Sequence, residues 1–304
     1  MSGGVTRVLC DWGGSRLRAF LESGGAVSDR RLGPGINLLD GEPPARALAR
    51  ALASWTGASL RAVFVCGMAG SRNGLIEVPY ARAPVAAAQW RCGGREMSLE
   101  ELSVTIAPGV QAQNFRDVPD VMRGEETQIF GALALHRELA EGRRLFVLPG
   151  THSKWVEVRD GRIARLQTFF TGELYDVLCR HSSLLRVGDG LADDDDAFDV
   201  GVRNAARHDL AASLFETRSA QLVEGRSASW ARSFLSGLLI GAEVHSMLPV
   251  LRAAPAPLTL IGEPALTTCY LRALATHADG AVALDGDACV LAGLRLFAGD
   301  AAGT

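Results

Sequence analysis

Lysine is almost absent from this 304-residue chain: Lys154 is the only lysine, and the other basic residues counted with it are arginines. The 31 basic residues nearly balance 34 acidic ones, which gives a net charge of −3. The chain also has no arginine cluster interleaved with aromatic residues, as single-stranded nucleic-acid grooves require. Nucleic acid is therefore not an expected partner.

Paired cysteines and long apolar runs are also lacking. The six cysteines are scattered, with no C-x-x-C pair and no zinc-like histidine spacing, which predicts reduced core thiols. The N-terminus has no signal-peptide run, and the most apolar later stretch, FLSGLLIGAEV (234–244), is too short to span a bilayer. We expect a cytoplasmic protein that does not insert into membranes.

Three common nucleotide and hydrolase fingerprints are missing as well. The one lysine follows Ser153 and not glycine, so no Walker A loop exists, and neither G-x-G-x-x-G nor G-x-S-x-G occurs. These absences exclude the P-loop, Rossmann and α/β-hydrolase sites that such motifs build.

What is present predicts an α/β protein of two domains. The length exceeds that of one ordinary core, and 48% hydrophobic with 21% charged residues is typical of a soluble globular chain. Strands and helices are mixed in both halves, and we place the domain boundary between residues 143 and 144. The predicted strands are a hairpin in 5–22 broken at Gly13 and Gly14, then 61–67, 102–109, 144–150 and 257–263; the predicted helices are 43–56, 124–141, 173–186, 230–248 and 288–298.

The two halves open with similar hairpins. LCDWGGSRLRAFLE (9–22) aligns with VLPGTHSKWVEVRD (147–160) as an apolar strand, a small-residue turn, a hydroxyl, a cation and a second strand. Successive N–H groups in such turns can bind an anion, and Lys154 would add a point cation for phosphate. Each turn taken alone is equally explained as a structural hairpin.

Several carboxylates and a histidine need an explanation of their own. Asp11 ends an apolar strand, where it would cap the turn or meet a cation, backbone donors or a water-bound Mg²⁺. In MRGEETQ (122–128), Glu125 and Glu126 either complement a helix dipole or serve catalysis, while Arg123 either holds a substrate carboxylate or pairs with an acid. The Asp193–Asp196 run is expected to be solvated surface, and His152 either touches phosphate or packs.

The motifs DWGGSRLRA, GMAGSRNG, MRGEETQ, LPGTHSKWV, FTGEL and FLSGLLIGAEV, in this order across nearly the whole chain, resemble the 2-dehydro-3-deoxygalactonokinase family. The resemblance implies two related actin-like (ribonuclease H-like) domains that close over a cleft. It also implies ATP-dependent phosphorylation of a 2-keto-3-deoxy sugar acid at its 6-hydroxyl, in galactonate catabolism, with ATP and Mg²⁺ as cofactors.

The resemblance also assigns residues to roles. Glu126 is implied as the base, Asp11 as the residue that orders Mg²⁺ through water, and Lys154 as the catalytic cation. Two further groups follow from the matched motifs: the phosphate and nucleotide contacts are Gly13, Gly14, Ser15, Gly150, Thr151, His152, Ser153 and Gly262, and the substrate contacts are Arg123, Gly70 and Ser71. The adenosine loop departs from the expected pattern at Glu263 and Pro264, and the second turn has Pro149 opposite Asp11.

Two other functions stay open on the sequence alone. One is a phosphohydrolase of the same fold, in which a glutamate activates water, and the other is a nucleotide-binding protein without catalysis. The epimer preference between galactonate- and gluconate-derived substrates is also open, as is assembly into a homodimer.

Overall fold

The computed structural model describes residues 6–55, 60–185, 193–207, 209–278 and 280–300, which form a mixed α/β protein. The strands are β1 Thr6–Trp12, β2 Arg16–Ser23, β3 Ala26–Pro34, β4 Leu60–Gly67, β5 Ala81–Arg82, β6 Val85–Ala86, β7 Arg95–Leu99, β8 Leu102–Ile106, β9 Val110–Gln113, β10 Pro119–Met122, β11 Arg143–Leu148, β12 Ser153–Arg159, β13 Arg162–Phe169, β14 Leu258–Gly262 and β15 Val282–Asp285. The helices are α1 Pro44–Leu52, α2 Ala87–Arg91, α3 Glu125–Leu135, α4 Thr171–His181, α5 Asp195–Ala205, α6 Leu210–Val223, α7 Ala228–Ala253, α8 Pro264–Leu274 and α9 Gly286–Ala298.

The first sheet has the strand order β3-β2-β1-β4-β8-β7. Strands β1, β2 and β3 pair antiparallel, whereas β4 joins β1 and β8 joins β4 in parallel. Three consecutive strands thus pair antiparallel, and the parallel strands β4 and β8 continue the sheet on the other side of β1. This is the topology of the ribonuclease H-like domain. The expected fold class is thereby confirmed for this sheet.

A second sheet repeats this topology later in the chain. Its order β15-β14-β11-β12-β13-β6 places the β11-β12-β13 meander beside β14, as β1-β2-β3 stands beside β4. Strand β11 pairs with β14 in parallel, with Leu145 opposite Leu258. The similar hairpins seen in the sequence are thus the first two strands of two similar sheets. A small sheet, β10-β9-β5, is separate from both.

The chain divides into two compact units. The first holds Met1–Arg144, Val156–Gln167 and Leu284–Thr304, and the second holds Leu145–Trp155 and Thr168–Ala283. The terminal helix α9 therefore belongs with the N-terminal part of the chain, and the breaks between the units fall inside β11, β12, β13 and β15. A domain boundary between residues 143 and 144 stays a prediction.

The core of the first unit comes from the apolar residues of its central strands. Val8, Cys10 and Trp12 on β1 are fully buried, as are Val63 and Val65 on the neighbouring strand β4. Because β1 and β4 are buried on both faces, they appear in the sequence as nearly continuous apolar runs. This burial holds the carboxyl ends of β1 and β4 in place, and the candidate site lies at these ends.

Most predicted elements are present, with corrections at three places. The helix expected at 124–141 ends at Leu135 and is followed by the 3₁₀ turn Arg137–Ala140, and the helix expected at 173–186 ends at His181. The acidic run was expected to be solvated surface, and Asp193, Asp195 and Asp196 are exposed, but Asp195 and Asp196 also form the first turn of α5, with Asp194 as its N-cap. Acidic side chains at this place complement the helix dipole.

Helix α7 is long and apolar enough to cross a membrane by length and composition. About two thirds of its most apolar window, 67%, is buried inside the fold. Its residues Phe234, Leu238 and Val244 lie in the protein core, as expected for the FLSGLLIGAEV stretch.

Candidate functional site

The first small-residue turn joins β1 to β2 and is held by a neighbouring segment of the first unit. Gly13 N–H donates to the Arg16 carbonyl at 2.9 Å, while the N–H groups of Ile36 and Asn37 donate to the carbonyls of Gly13 and Gly14 at 3.1 and 3.0 Å. A Cβ on Gly35 would lie 2.2 Å from the Gly14 carbonyl oxygen, so only glycine fits there. The turn is therefore fixed in one conformation by backbone contacts.

Asp11 stands at the end of β1, just before this turn, and meets a cation. Its Oδ2 accepts hydrogen bonds from the Arg18 guanidinium, with 3.1 Å to Nε, and its Oδ1 accepts from the Cys66 thiol at 3.6 Å. Burial raises the pKa of this thiol well above its usual value, so Cys66 stays a donor. Of the partners considered for Asp11, the structure supplies the cation, Arg18, and it adds the Cys66 thiol, which was not among them.

Arg18 was not singled out in the sequence, although the hairpin register could have identified it. Asp11 and Arg18 are directly opposite each other in the β1–β2 pairing, where cross-strand side chains are close. Arg18 also binds Asp287 at the start of α9, and Arg30 reaches the same carboxylate at 3.0 Å. The charge of Asp11 thus belongs to a network that ties β1, β2 and α9 together.

The start of α3 lies against the ends of β1 and β4 through glycine contacts. Gly67 has φ 85° and a Cβ there would lie 2.6 Å from the Trp12 carbonyl oxygen, while Gly124 has φ 117° and its Cβ position is 3.3 Å from Gly67 Cα. Both positions need a positive φ and a close backbone approach, which favours glycine. This packing brings the Glu125–Glu126 pair to the same end of the sheet as Asp11.

The two glutamates occupy different environments. Glu126 is fully buried, and its carboxylate accepts from Gly124 N–H at 2.8 Å and from the Thr127 hydroxyl at 3.0 Å. Burial, and then the neighbouring charge of Glu125, raise the pKa of Glu126 to about 8. Glu125 is only half-buried and accepts from Arg123 N–H at 3.0 Å. Both side chains therefore also brace the start of α3.

Arg123 is held with part of its guanidinium unused. Nη2 donates to the Val78 carbonyl at 2.8 Å, and the guanidinium lies over the Tyr80 ring at 4.2 Å from its centroid. Nε and Nη1 are buried without a hydrogen-bond partner, and so is the hydroxyl of Ser71. Buried donors are rarely left unpaired, so these three atoms indicate a place for an acceptor group.

Gly70 places this arginine. A Cβ at position 70 would lie only 2.7 Å from Arg123 Nη1, so a larger residue would push the guanidinium aside. The predicted substrate residues Gly70, Ser71 and Arg123 are thus brought together in the first unit. Tyr80 and Val78, which orient the arginine, were missed because neither belongs to a recognisable motif.

A cavity of about 460 Å³ lies beside these segments of the first unit. Asn37 lines it from the segment that holds the first turn, and Asn73 lines it from the loop that carries Ser71. Asp40 and Glu42 add acidic side chains. Its size is in the usual range for small-molecule sites, and its amides and carboxylates suit hydroxyl groups.

The second small-residue turn, residues 149–153 of the second unit, is packed under the start of α4. A Cβ on Gly172 would lie 2.3 Å from the Gly150 carbonyl oxygen, and Glu173 N–H donates to the Thr151 carbonyl at 2.8 Å. The His152 ring stacks on Phe170 and contacts the Glu173 carboxylate. His152 therefore packs and pairs within the turn, while its side chain stays 45% exposed.

Lys154, which follows this turn, is 4% exposed. Its Nζ donates to the His152 carbonyl at 3.0 Å, so the ammonium is held inside the turn. Trp155 and, in the first turn, Trp12 are fully buried and donate through their indole nitrogens, which agrees with a role in wedging strands.

Gly262 ends β14 next to the second turn. A Cβ at this position would lie 3.7 Å from the Pro149 carbonyl oxygen. Because β11 and β14 are parallel, both loops follow the carboxyl ends of their strands, the edge where open α/β sheets bind ligands. The second unit thus brings the phosphate and adenosine motifs of the prediction together. Among the described residues, no group of three or more His, Cys, Asp or Glu side chains forms a metal cluster.

Comparisons with known proteins find a matching family model and two similar relatives. The family model described as 2-keto-3-deoxy-galactonokinase matches residues 11–297. A relative from Rhizobium meliloti (strain 1021), named "Probable 2-dehydro-3-deoxygalactonokinase", is 36% identical over 306 residues, covering 95% of each chain. The 2-dehydro-3-deoxygalactonokinase of Escherichia coli (strain K12) is 34% identical over 296 residues, covering 96% of this chain and 97% of the relative.

A solved structure is similar as well. The crystal structure of a Sinorhizobium meliloti protein assigned to 2-dehydro-3-deoxygalactonokinase superposes with a TM-score of 0.84 at 35% sequence identity. It covers 96% of this chain and 98% of the other.

Proposed function

Because the chain belongs to the 2-keto-3-deoxy-galactonokinase family, we propose that it transfers the γ-phosphoryl group of ATP to the 6-hydroxyl of 2-dehydro-3-deoxy-D-galactonate. The product is 2-dehydro-3-deoxy-6-phospho-D-galactonate. Both curated relatives named above carry the name of this enzyme, and each is matched over nearly its whole length. We place the reaction in the cytoplasm.

The unpaired donors of Arg123 carry the assignment of the acid group. A buried guanidinium with free Nε and Nη1, next to the free Ser71 hydroxyl, suits the carboxylate of a sugar acid. The hydroxyl-bearing end of the substrate would then extend into the cavity lined by Asn37 and Asn73. Gly70 keeps the guanidinium within reach of the substrate by leaving space for Nη1.

Glu126 is the proposed general base for the 6-hydroxyl. A primary alcohol is a poor nucleophile until an acceptor takes its proton, and a base with a pKa near the working pH does so best. A pKa of about 8 meets this requirement. Since the carboxylate is fully buried in the free protein, the substrate hydroxyl must displace part of its surroundings to reach it.

The two turns and Lys154 are proposed to hold the phosphates. The contacts proposed in the first turn are Gly13, Gly14 and Ser15, those proposed in the second turn are Gly150, Thr151, His152 and Ser153, and Gly262 is the proposed nucleoside contact. The buried ammonium of Lys154 places a fixed positive charge in the second turn, where it would stabilise charge that develops on the transferred group.

Asp11 is the residue proposed to hold Mg²⁺ through water. Its carboxylate is partly exposed at 15% and its Oδ1 has only a weak thiol donor, so an oxygen ligand remains for a hydrated hard cation. When bound, Mg²⁺ would neutralise charge on the ATP phosphates. Arg18 would fix the orientation of the Asp11 carboxylate.

Arg123→Gln tests the assignment of the acid group. Charge-assisted hydrogen bonds are each worth about 1.5–3 kcal/mol, so the KM for the sugar acid should rise by roughly tenfold to a hundredfold while the KM for ATP stays unchanged. The measurement is steady-state ADP release with each substrate varied in turn. Arg72→Gln, at an 86% exposed side chain in the same loop region, is the matched control and should behave like the parent.

An analogue in which a primary amide replaces the carboxylate adds a specificity readout. The parent should prefer the acid strongly, and the Arg123→Gln protein should lose most of this preference. An unchanged preference for the acid in the Arg123→Gln protein would show that another residue binds the carboxylate.

A further inference from the structure

One buried carboxylate in the second unit has no role in the mechanism above. Glu243 lies in the apolar middle of α7 and is 2% exposed. Its Oε1 accepts from Trp155 Nε1 at 2.8 Å, and its Oε2 accepts from the Tyr270 hydroxyl at 2.8 Å and from the Thr171 hydroxyl. Both carboxylate oxygens are thus in use, and all three of these donors are neutral.

The donors come from three separate segments. Trp155 follows directly after the second turn and Lys154, Thr171 is the first residue of α4, and Tyr270 lies on α8, two turns beyond Gly262. Thr171 precedes Gly172, whose contact with Gly150 packs α4 on the turn. The segments that converge on Glu243 are therefore the same segments that form the proposed phosphate and nucleoside site.

Glu126, like Glu243, accepts from neutral donors, whereas two other buried carboxylates of the described chain are compensated by cations. Glu22 pairs with Arg7 and Arg295, and Glu157 pairs with Arg143 and Arg159. At Glu243, burial raises the pKa of the carboxyl group, and the hydrogen bonds from its neighbours oppose this shift. A buried carboxylate is costly, and an apolar residue would pack more cheaply in the middle of this helix.

We propose that Glu243 is a positioning residue of the nucleotide site, an inference that rests on the proposed kinase function. Its carboxylate accepts from three donors at once and so fixes the second turn, the start of α4 and helix α8 in one arrangement. Since the turn is proposed to hold the ATP phosphates, loss of these hydrogen bonds should weaken ATP binding. Binding of the sugar acid, assigned to residues of the first unit, should not change.

Glu243→Met tests this inference because it keeps the length of the side chain and removes both acceptors. We expect the KM for ATP to rise roughly tenfold or more, as displaced site residues usually cost, with the KM for the sugar acid within about twofold of the parent. Glu243→Gln should stay near the parent: its oxygen can face Trp155, and its amide can donate to the Thr171 and Tyr270 hydroxyls, which can rotate to accept.

The controls separate positioning from stability. Glu157→Gln alters another buried carboxylate and should lower the free energy of unfolding in urea without changing the KM for ATP. If Glu243→Met does not fold, Tyr270→Phe removes one donor while keeping the ring, and it should raise the KM for ATP by a smaller factor. If Glu243→Met folds, a parent-like KM for ATP in that variant would overturn the inference. If it does not fold, a parent-like KM for ATP in Tyr270→Phe would overturn it.

The proposed function is tested separately by the parent. Parent protein that binds a non-hydrolysable ATP analogue in calorimetry but does not phosphorylate the sugar acid would reject the kinase function alone. In that case the dissociation constant of the analogue replaces the KM for ATP as the readout for Glu243. Parent protein that binds no nucleotide would overturn both.

Discussion

The carboxylates of Asp11 and Glu126 at the candidate site lie in different surroundings. Asp11 is kept next to a cation by its cross-strand neighbour Arg18, whereas Glu126 lies among backbone and hydroxyl donors beside a second carboxylate. Burial and the charge of Glu125 raise the pKa of Glu126 to about 8. A carboxyl group with a raised pKa is typical of acid–base chemistry.

The choice of Glu126 as the base is tested by a pair of variants. Glu126→Gln keeps the shape of the side chain but cannot accept a proton, so kcat should fall roughly 10²–10⁴-fold with ATP affinity nearly unchanged. Glu125→Gln should retain most of the parent's kcat. Stopped-assay kcat values and calorimetric ATP binding check both variants. If the Glu125 variant is the inactive one, the half-buried neighbour is the base; if both turn over normally, the base lies elsewhere.

The raised pKa of Glu126 also predicts a pH dependence of stability. Between its ordinary value of 4.5 and about 8, the folded protein holds a proton that the unfolded chain has lost. The contribution of this group to stability is therefore fully present below about pH 4.5 and is lost as the pH rises to about 8. Glu126→Gln should remove this loss. The free energy of unfolding of the variant should therefore rise relative to that of the parent as the pH increases from about 4.5 to about 8.

Urea denaturation at several pH values measures this difference. Glu125→Gln, which removes the second cause of the shift, should lower the pKa of Glu126 and so narrow the pH window over which stability falls, without abolishing it. A difference between Glu126→Gln and parent that is constant with pH would mean that Glu126 is ionised in the folded state at neutral pH.

At the level of elements, helix α3 owes its position to close contact with α9. A Cβ on Gly131 would lie 1.8 Å from the Cys289 carbonyl oxygen, and one on Gly293 would lie 1.9 Å from the Thr127 carbonyl oxygen. Two glycines therefore let the helix backbones touch, next to the residue that follows Glu126. The geometry of the proposed base depends on this helix pair.

Gly293→Ala should disturb this contact. Alanine favours a helix over glycine by about 1 kcal/mol, but overpacking costs about 1–3 kcal/mol or more, and the clash here is with backbone that cannot rotate away. We expect a lower free energy of unfolding in urea and a lower kcat, with Thr127 pushed from its place. Equal or higher stability would show that α3 and α9 can separate freely.

The strands and helices with a clear apolar period were predictable, whereas exposed and charged elements were not. Strand β3, AVSDRRLGP, is almost wholly exposed at the sheet edge and so shows no alternation. The start of α5 was hidden in an acidic run that resembles a surface loop. In both cases the hydrogen-bonding partners, and not local composition, decide the structure.

Those residues of the candidate site that lie in short motifs at the ends of strands were predictable from the sequence. Both turns, Asp11 and the Glu125–Glu126 pair are local motifs, so the sequence identified them. Glu243 could be seen only as a single acid in an apolar run, because its donors lie 88, 72 and 27 residues away in the chain. Contacts over such separations are set by tertiary packing and leave no local pattern.

The whole molecule has two similar sheets, and in each a small-residue turn joins the first two strands, β1 to β2 and β11 to β12. Phosphate binding is assigned to both turns. The first unit has in addition the unpaired Arg123 donors and the cavity proposed for the hydroxyl groups of the substrate, and the second has the adjoining Gly262 loop. The proposal thus assigns the sugar-acid contacts to the first unit and nucleotide contacts to residues of each unit.

The most direct test of this account is ADP release by the purified parent protein with ATP, Mg²⁺ and 2-dehydro-3-deoxy-D-galactonate. We predict turnover that requires all three components, stops when Mg²⁺ is chelated and forms one 6-phosphorylated product per ADP, as mass spectrometry of the product should show. The gluconate-derived epimer, assayed in parallel, measures the selectivity for the sugar acid. Release of inorganic phosphate from ATP at the same rate with and without sugar acid, and no phosphorylated product, would contradict the account and identify a phosphohydrolase instead.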